Sequence, residues 1–238
     1  MTRRKSQIIA MGGGGLSTEP QITALYRYVL AQAPKRNPSI CFLATASGDA
    51  DTYLAKWYAR VTRLRCRPTH VPLFGRTPNL EEVLLAQDII YVGGGNTKSM
   101  LAVWREWNIP TLLRRAWRSG VVLAGVSAGA ICWFRRGVTD SWAGRLAVLP
   151  CLGLLPGTCC PHYDGEPERR PAVHRFVRRA SIPKVLALDD GVAAHFVGRR
   201  LHRVVSCRPT AQAYEVHHNG SKSVEVKLRA TRLQKAAS

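Results

Sequence analysis

Short apolar runs alternate with amphipathic segments over the first half of the chain. The runs are rich in β-branched residues, which is typical of strands buried on both faces of a parallel sheet. The predicted strands are Gln7–Met11, Ser39–Thr45, Cys66–Leu73, Asp88–Val92 and the run that begins at Val121. The segments between them repeat apolar residues at helical spacing, and the predicted helices are Ile22–Leu30, Asp51–Leu64, Leu80–Ala86, Lys98–Trp107 and Thr111–Arg118. This alternation predicts a three-layer α/β sandwich with a mostly parallel central sheet.

The pattern changes after residue 134. Arg135–Pro150 shows no clear period and is predicted to be irregular, Leu152–Leu155 is a short strand candidate, and Pro171–Ala180 has a helical pattern. Turn residues then separate a series of predicted strands. These are Val185–Leu188, Val192–Val197, Leu201–Ser206, Tyr214–His217 and Ser223–Leu228. We therefore expect a β-rich C-terminal part within one domain, residues 1–230, and a polar tail, 231–238, that frays.

Composition narrows the class of protein. The chain has 238 residues, 46% of them hydrophobic, which is enough for a real core, and no apolar run approaches the length of a membrane span. The basic start is followed by too short an apolar stretch for a secretory signal, so we expect a cytoplasmic protein. The seven cysteines are scattered without a Cys-x-x-Cys pair, and neither a metal nor a cofactor is expected.

The chain is strongly basic, with a formal net charge of +20. The basic residues come in pairs along the whole sequence, such as Arg114-Arg115 and Arg199-Arg200, and no nucleic-acid-binding motif accompanies them. The charge therefore predicts at most non-specific attraction to nucleic acid.

The stretch Val121–Phe134 carries the strongest chemical signal. An apolar run leads into Gly125-Val126-Ser127-Ala128-Gly129 and continues into a predicted helix, so that a Gly-x-Ser-x-Gly pattern lies at a strand-to-helix turn. Small residues on both sides of the serine allow the tight bend of a nucleophile elbow. The free N–H groups of the following helix would point to the same place. The pattern predicts that Ser127 is a nucleophile.

Two glycine-rich loops follow predicted strands, Gly12–Gly15 after the first and Gly93–Gly95 after the fourth. Ligands of parallel sheets bind at the carboxyl ends of strands, so both loops and the elbow are expected at one edge. Backbone N–H groups of Gly94 or Gly95, together with that of Ala128, are predicted to form an oxyanion hole.

A serine nucleophile needs a base and an acid that orients it. Among the seven histidines, His162 stands out because it follows Pro161 in a loop with small and acidic neighbours. Asp140, Asp164 and Glu166 are all candidates for the orienting acid, and the sequence pattern does not decide among them.

Three motifs together resemble the peptidase E family of serine peptidases, which includes α-aspartyl dipeptidases and is related to cyanophycinases. The motifs are GVSAGA at 125–130, YVGGGNT at 91–97 and PHYDGE at 161–166. They occur in the family's order, and the resemblance runs from the first strand to about residue 198. It implies a fold similar to class I glutamine amidotransferases, with serine in place of cysteine at the elbow.

Carried over by position, the resemblance implies that Ser127 is the nucleophile, His162 the base and Asp140 the acid. It implies the oxyanion hole of Gly94 or Gly95 with Ala128 as well.

The resemblance also suggests residues that bind substrate, namely Asn96, Thr97 and Arg169. The family carries Gly-Glu-x-Arg after its histidine, whereas here Glu168 takes the arginine position and Arg169 comes one residue later. This departure puts strict aspartate specificity in doubt. Lys98 is another candidate partner for a substrate carboxylate.

The sequence thus predicts a serine peptidase of small peptides, including dipeptides with N-terminal aspartate. A homodimer is considered, and the sequence leaves the oligomeric state open. Two alternatives stay open. One is a cyanophycinase-like amide hydrolase of an acidic polymer, which the basic surface would suit. The other is a non-catalytic binding protein on the same fold.

Overall fold

The fold is taken from a computed structural model that describes residues 5–14, 21–179, 181–220 and 222–234. Its strands, in chain order, are β1 (Gln7–Met11), β2 (Ser39–Leu43), β3 (Arg67–His70), β4 (Ile89–Val92), β5 (Val122–Val126), β6 (Phe134–Trp142), β7 (Arg145–Pro150), β8 (Leu155–Cys160), β9 (Lys184–Leu188), β10 (Val192–Val197), β11 (Arg200–Ser206), β12 (Ala213–Asn219), β13 (Lys222–Leu228) and β14 (Ala230–Arg232).

The helices lie between and around these strands. They are α1 (Ile22–Leu30), α2 (Asp51–Val61), α3 (Leu80–Leu85), α4 (Thr97–Glu106), α5 (Ile109–Arg118), α6 (Ala128–Ile131) and α7 (Arg169–Arg178), with a 3₁₀ turn at Thr45–Ser47. Among the described residues, none of these helices is long and apolar enough to cross a membrane.

The strands form two sheets. The first has the order β14-β11-β10-β1-β5-β4-β2-β3, and its β1, β5, β4, β2 and β3 run parallel. The second has the order β13-β12-β9-β8-β6-β7, in which β6, β8 and β9 run parallel. The expected α/β architecture with a largely parallel central sheet and a β-rich C-terminal part is confirmed, and the β-rich part contributes strands to both sheets.

The core fills both faces of the first sheet, because its central strands are apolar along their whole length. β4 and β5 are buried at every position, and Trp57 and Trp104 from α2 and α4 are fully buried. This arrangement fixes the parallel strands and therefore fixes the place where their carboxyl ends meet.

The region after the elbow differs most from its prediction. Arg135–Pro150, expected to be irregular, forms the hairpin of β6 and β7, with Gly144 at φ 71° in the turn. β7 lies at the sheet edge and exposes much of its length, so it lacks the apolar run of a central strand. The helix after Ser127 is also shorter than predicted: α6 ends at Ile131, and the apolar residues that follow lead into β6.

The C-terminal boundary differs as well. Thr231 and Arg232, expected in the frayed tail, belong to β14, which pairs in parallel with β11. Residues 235–238 of that tail, and Gly15 of the first glycine loop, lie outside the described residues.

We expect Gly129→Ala to lower the free energy of unfolding by about 1–3 kcal/mol, as overpacking of a filled interior does. A Cβ at this position would overlap the carbonyl oxygen of Val92 in β4, and a backbone atom cannot rotate away. Chemical denaturation measures the effect. Gly75→Ala is the matched control, because no heavy atom lies within 4 Å of its added Cβ. Equal losses in the two variants would contradict the close approach of α6 to β4.

Candidate active site

Ser127 occupies a strained turn directly after β5. Its φ of 56° and ψ of −113° fall where non-glycine residues rarely lie, and such strain is maintained only where the surroundings enforce it. Gly125 and Gly129 approach each other so closely that a Cβ on Gly125 would overlap the backbone of Gly129. This is the geometry of a nucleophile elbow, with the serine side chain at the carboxyl edge of the first sheet.

His162 lies beside this turn. Its backbone N–H donates to the carbonyl oxygen of Gly12 at 3.2 Å, while the N–H of Ser127 donates to that of Met11 at 3.1 Å. The two residues are therefore anchored on consecutive residues at the end of β1. His162 also has a positive φ, 51°, so its backbone is held in a turn conformation by these contacts.

The imidazole of His162 is paired with Asp190. Its Nδ1 lies 2.7 Å from Oδ1 of Asp190, and the two side chains are 21% and 29% exposed. Gly13 makes room for the pair, since a Cβ there would overlap both the carboxylate and the ring. The end of β1 thus requires glycine because the histidine and the aspartate pack directly on its backbone.

The electrostatics of this pair fix the tautomer of the imidazole. Burial raises the pKa of the Asp190 carboxyl, but the hydrogen bond and charge of His162, with the nearby charges of Arg208 and Arg169, outweigh it and hold the pKa below its ordinary value. The carboxylate is ionised at neutral pH and only accepts hydrogen bonds, so Nδ1 carries the proton. Nε2 of the neutral ring is then free to act as a base.

The acid predicted to orient His162 makes a different contact. Asp140 is 62% exposed, and its Oδ1 lies 3.5 Å from the guanidinium of Arg169. The same arginine, 2% exposed, donates from Nε to Glu166 at 2.6 Å and from a terminal nitrogen to the Val138 carbonyl at 3.2 Å. Two of the three candidate acids are therefore held by Arg169, and Asp140 contacts this arginine rather than His162.

Asp164, the third candidate, supports the loop that carries Asp190. One of its oxygens accepts the backbone N–H of Asp190 at 2.8 Å, and the other lies 3.0 Å from Arg208. Arg208 also donates to the carbonyl oxygen of Asp190 at 3.1 Å. A cavity of about 250 Å³ opens here and is lined in part by Gly14 and Ile22.

The predicted oxyanion groups lie next to the serine. A Cβ added to Gly94 would be 3.3 Å from Cβ of Ser127, so this loop faces the nucleophile. The N–H of Gly94 donates to the hydroxyl of Tyr53 at 2.9 Å, whereas no hydrogen bond within the described residues uses the N–H of Gly95 or Ala128. The latter two are the donors available to a developing oxyanion.

The predicted substrate-binding residues have internal contacts. Asn96 caps α4 by accepting the N–H of Ser99 at 3.0 Å, and its amide donates to the Ser141 carbonyl at 3.1 Å. Thr97 is buried, as is Arg169. Lys98 is exposed, and its ammonium lies 5.3 Å from the ring centre of Trp142. Of these cations Lys98 is therefore the more accessible to a substrate.

In the sequence, Asp190 stands out only as one of the turn residues between predicted strands, where it precedes Gly191. A signal for it did exist. β8 and β9 are parallel neighbours, so the residues that follow them, His162 and Asp190, emerge at the same edge. Recognising this signal requires a strand at Leu155–Cys160, whereas the sequence predicted a strand at Leu152–Leu155.

Comparisons with known proteins point to one family. The model of Peptidase family S51 matches residues 8–204. An uncharacterized peptidase of Bacillus subtilis, YgaJ, is 50% identical over 211 residues, which cover 88% of this chain and 91% of that protein. Peptidase E of Pasteurella multocida is 30% identical over 128 residues, covering 50% of this chain and 55% of that protein.

A solved structure shares the fold. The crystal structure of a peptidase from an acI-B1 Actinobacterium superposes with a TM-score of 0.66 at 16% identity, covering 95% of this chain and 98% of that one. Together these findings confirm the resemblance to the peptidase E family and the expected class of enzyme, a peptidase.

Asp189, next to the paired aspartate, gives the site a pH-dependent stability. Its side chain is almost fully buried, with one oxygen accepting the N–H of Gln212 at 2.8 Å and the other unpaired. Burial raises the pKa of its carboxyl to about 6. The native state therefore binds more protons than the unfolded state between the ordinary aspartate pKa and about 6, and this contribution to stability falls as pH rises through that window.

We expect Asp189→Asn to remove this dependence, because the amide does not ionise. The free energy of unfolding of the wild type, relative to the variant, should fall by roughly 1–3 kcal/mol between about pH 4 and pH 7. Urea denaturation of both proteins across this range measures the difference. Two parallel stability curves would show that Asp189 does not titrate as the burial requires.

Proposed function

This chain belongs to peptidase family S51, and on that premise we propose that it hydrolyses small peptides by serine catalysis through Ser127, His162 and Asp190. The observation that carries the proposal is the hydrogen bond between His162 and Asp190, beside a serine held in a strained elbow. A nucleophile, a base and an acid that orients the base are the groups that this reaction needs.

In the first half of the reaction, Oγ of Ser127 attacks the carbonyl carbon of the substrate's peptide bond while Nε2 of His162 takes the hydroxyl proton. The carbonyl oxygen becomes an oxyanion and accepts hydrogen bonds from the N–H groups of Ala128 and Gly95. Gly94 lies next to Ser127, and its own N–H donates to Tyr53. The intermediate collapses as the carbon–nitrogen bond breaks, and Nε2–H gives its proton to the leaving amine. The N-terminal part of the substrate remains bound to Ser127 as an ester.

In the second half, water replaces the amine. His162 takes a proton from the water, whose oxygen attacks the ester, and returns it to Oγ of Ser127 when the carboxylic acid leaves. Asp190 accepts the hydrogen bond from Nδ1–H throughout and stabilises the imidazolium that forms in each step. The route uses only groups of this chain and one water molecule.

A preference for an acidic N-terminal residue is part of the proposal. Lys98 follows the Gly93–Gly95 loop closely, its backbone N–H donates to the Ser141 hydroxyl at 3.2 Å, and its exposed ammonium lies 5.3 Å from the ring centre of Trp142. Arg145 is a second cation over Trp142, with its guanidinium carbon 5.6 Å from the ring centre. Two cations on one aromatic ring attract a substrate carboxylate, in keeping with the aspartyl preference that the resemblance implied.

A second candidate is supported by the overall charge. With a net charge of +20, the protein would attract a longer acidic polymer more strongly than a dipeptide. On this reading the same three residues cleave an amide bond in a polymer with aspartate residues.

We expect wild-type protein to cleave dipeptides with N-terminal Asp faster than those with Glu, Asn, Ala or Arg, and Ser127→Ala to lower kcat by about a thousandfold or more. Amine release measured on this panel, with an aspartate-rich polymer as an extra substrate, gives both answers. Cleavage of the polymer alone would favour the second candidate. Near wild-type turnover by Ser127→Ala would reject serine catalysis at this residue.

We expect Asp190→Asn to lower kcat by about a thousandfold or more, because an amide at this position can hold the wrong tautomer of His162. Asp140→Asn is the matched control, with the same change of charge and atom count. This change leaves the hydrogen bond between His162 and Asp190 intact, so kcat should fall by less than about tenfold. Steady-state kinetics, with denaturation curves to check folding, compare the two. The opposite ranking would show that Asp140 orients the base during turnover.

A further inference from the structure

A second, larger cavity lies away from the catalytic residues. Its volume is about 560 Å³, and its wall includes the end of α1, the turn after it and the turn after α2. Pro38 precedes β2 and Arg65 precedes β3, so the cavity sits at the amino-terminal edge of the parallel strands. Ser127 lies at the opposite edge, about one strand length or roughly 16 Å away along the strand direction.

Cations dominate the wall of this cavity. Five lining residues are basic and none is acidic. The basic residues are Arg27, Lys35, Arg36, Arg63 and Arg65. Charges of one sign that line one cavity repel one another, and physiological salt screens this repulsion only beyond about 8 Å.

Asp88 neutralises one of these five cations, Lys35. Asp88, whose side chain is 3% exposed, pairs with Lys35 at 3.0 Å and also accepts the backbone N–H and hydroxyl of Ser39. Within the described ranges, the four arginines of the cavity form no ion pair with an Asp or Glu, and all four are exposed. No carboxylate among the described residues compensates their charge.

The helix ends explain only part of this cluster. Cations are favoured near the C-terminus of a helix, which accounts for Arg27 in the last turn of α1 and helps to account for Arg63 just after α2. Arg36 and Arg65 lie beyond the helices, in the two turns that lead into β2 and β3. Nothing in helix electrostatics requires a cation at these two positions.

We propose that this cavity binds a multiply charged phosphate anion. Guanidinium groups bind phosphate oxygens through paired N–H donors, and a ligand with several negative charges removes the mutual repulsion of the cluster. The volume lies within the usual range of small-molecule sites. Leu30, Pro34 and Leu64 supply apolar wall, and an apolar surface beside the cations strengthens their attraction for an anion.

The test is isothermal titration calorimetry of the whole chain with sodium tripolyphosphate at about 150 mM salt. We expect saturable binding of one ion per chain, weakened about tenfold or more in the double variant Arg36→Ala/Arg65→Ala. The matched control is Arg199→Ala/Arg200→Ala, which removes the same charge from the exposed start of β11 and the residue before it. Its affinity should change by less than about twofold, since it alters only the long-range field.

A conservative variant separates shape from charge. Arg36→Lys/Arg65→Lys keeps both charges but loses the paired donors, so its affinity should lie between those of the wild type and the alanine variant. Both positions are exposed, and thermal unfolding curves establish that each variant is folded.

A second probe distinguishes two sources of the same chemistry. A single-stranded oligonucleotide presents a chain of phosphodiesters, whereas tripolyphosphate is compact. If the natural ligand is a nucleic acid strand, the oligonucleotide will bind more tightly and its salt dependence will become shallower by about 1.4 when Arg36 and Arg65 are replaced. If it is a free polyphosphate, only tripolyphosphate binding will depend on these two residues. Equal weakening by the control pair with both probes, or no saturable binding of either, would overturn the proposal.

Discussion

The structure depends on a small set of backbone hydrogen bonds at the end of β1, where the turn after β8 and the link from β9 to β10 meet it. The N–H of His162 donates to Gly12, that of Gly191 donates to Gly13 at 3.2 Å, and that of Gly12 donates to Val192 at 2.9 Å. The chain passes from the second sheet to the first through Asp190, and from the first to the second after Ser127. Ser127 and Asp190 thus lie in links between the two sheets, and His162 lies in the connection between β8 and β9 of the second sheet.

Charge pairing decides which carboxylate is available to the histidine. Several acids surround His162, and each of the others is drawn to an arginine: Asp140 and Glu166 to Arg169, and Asp164 to Arg208. Arg169 is buried and would be costly to leave unpaired, so its contacts with the two acids stabilise the loop as well as neutralise it. Asp190 is the carboxylate that remains to pair with Nδ1 of His162, and it is half-buried and ionised.

The sequence predicted the parts of this arrangement that local patterns determine. Apolar runs and helical spacing gave the parallel strands, and small residues around Ser127 gave the elbow, because a tight bend leaves few alternatives. The hairpin of β6 and β7 was not predicted, since an exposed edge strand carries little periodic signal. Asp190 was missed for a related reason: its role comes from pairing between β8 and β9, which are distant in sequence, and no local motif records such a contact.

The central claim is that Ser127 is a nucleophile activated by His162, and covalent labelling tests it most directly. The whole protein would be treated with a phosphonofluoridate, which reacts with activated serines, and the adduct located by peptide mass spectrometry. Our account predicts one adduct per chain, on Ser127, and its loss in His162→Ala, because without the base the hydroxyl stays protonated. Labelling that persists in His162→Ala, or that falls on another residue, would contradict it.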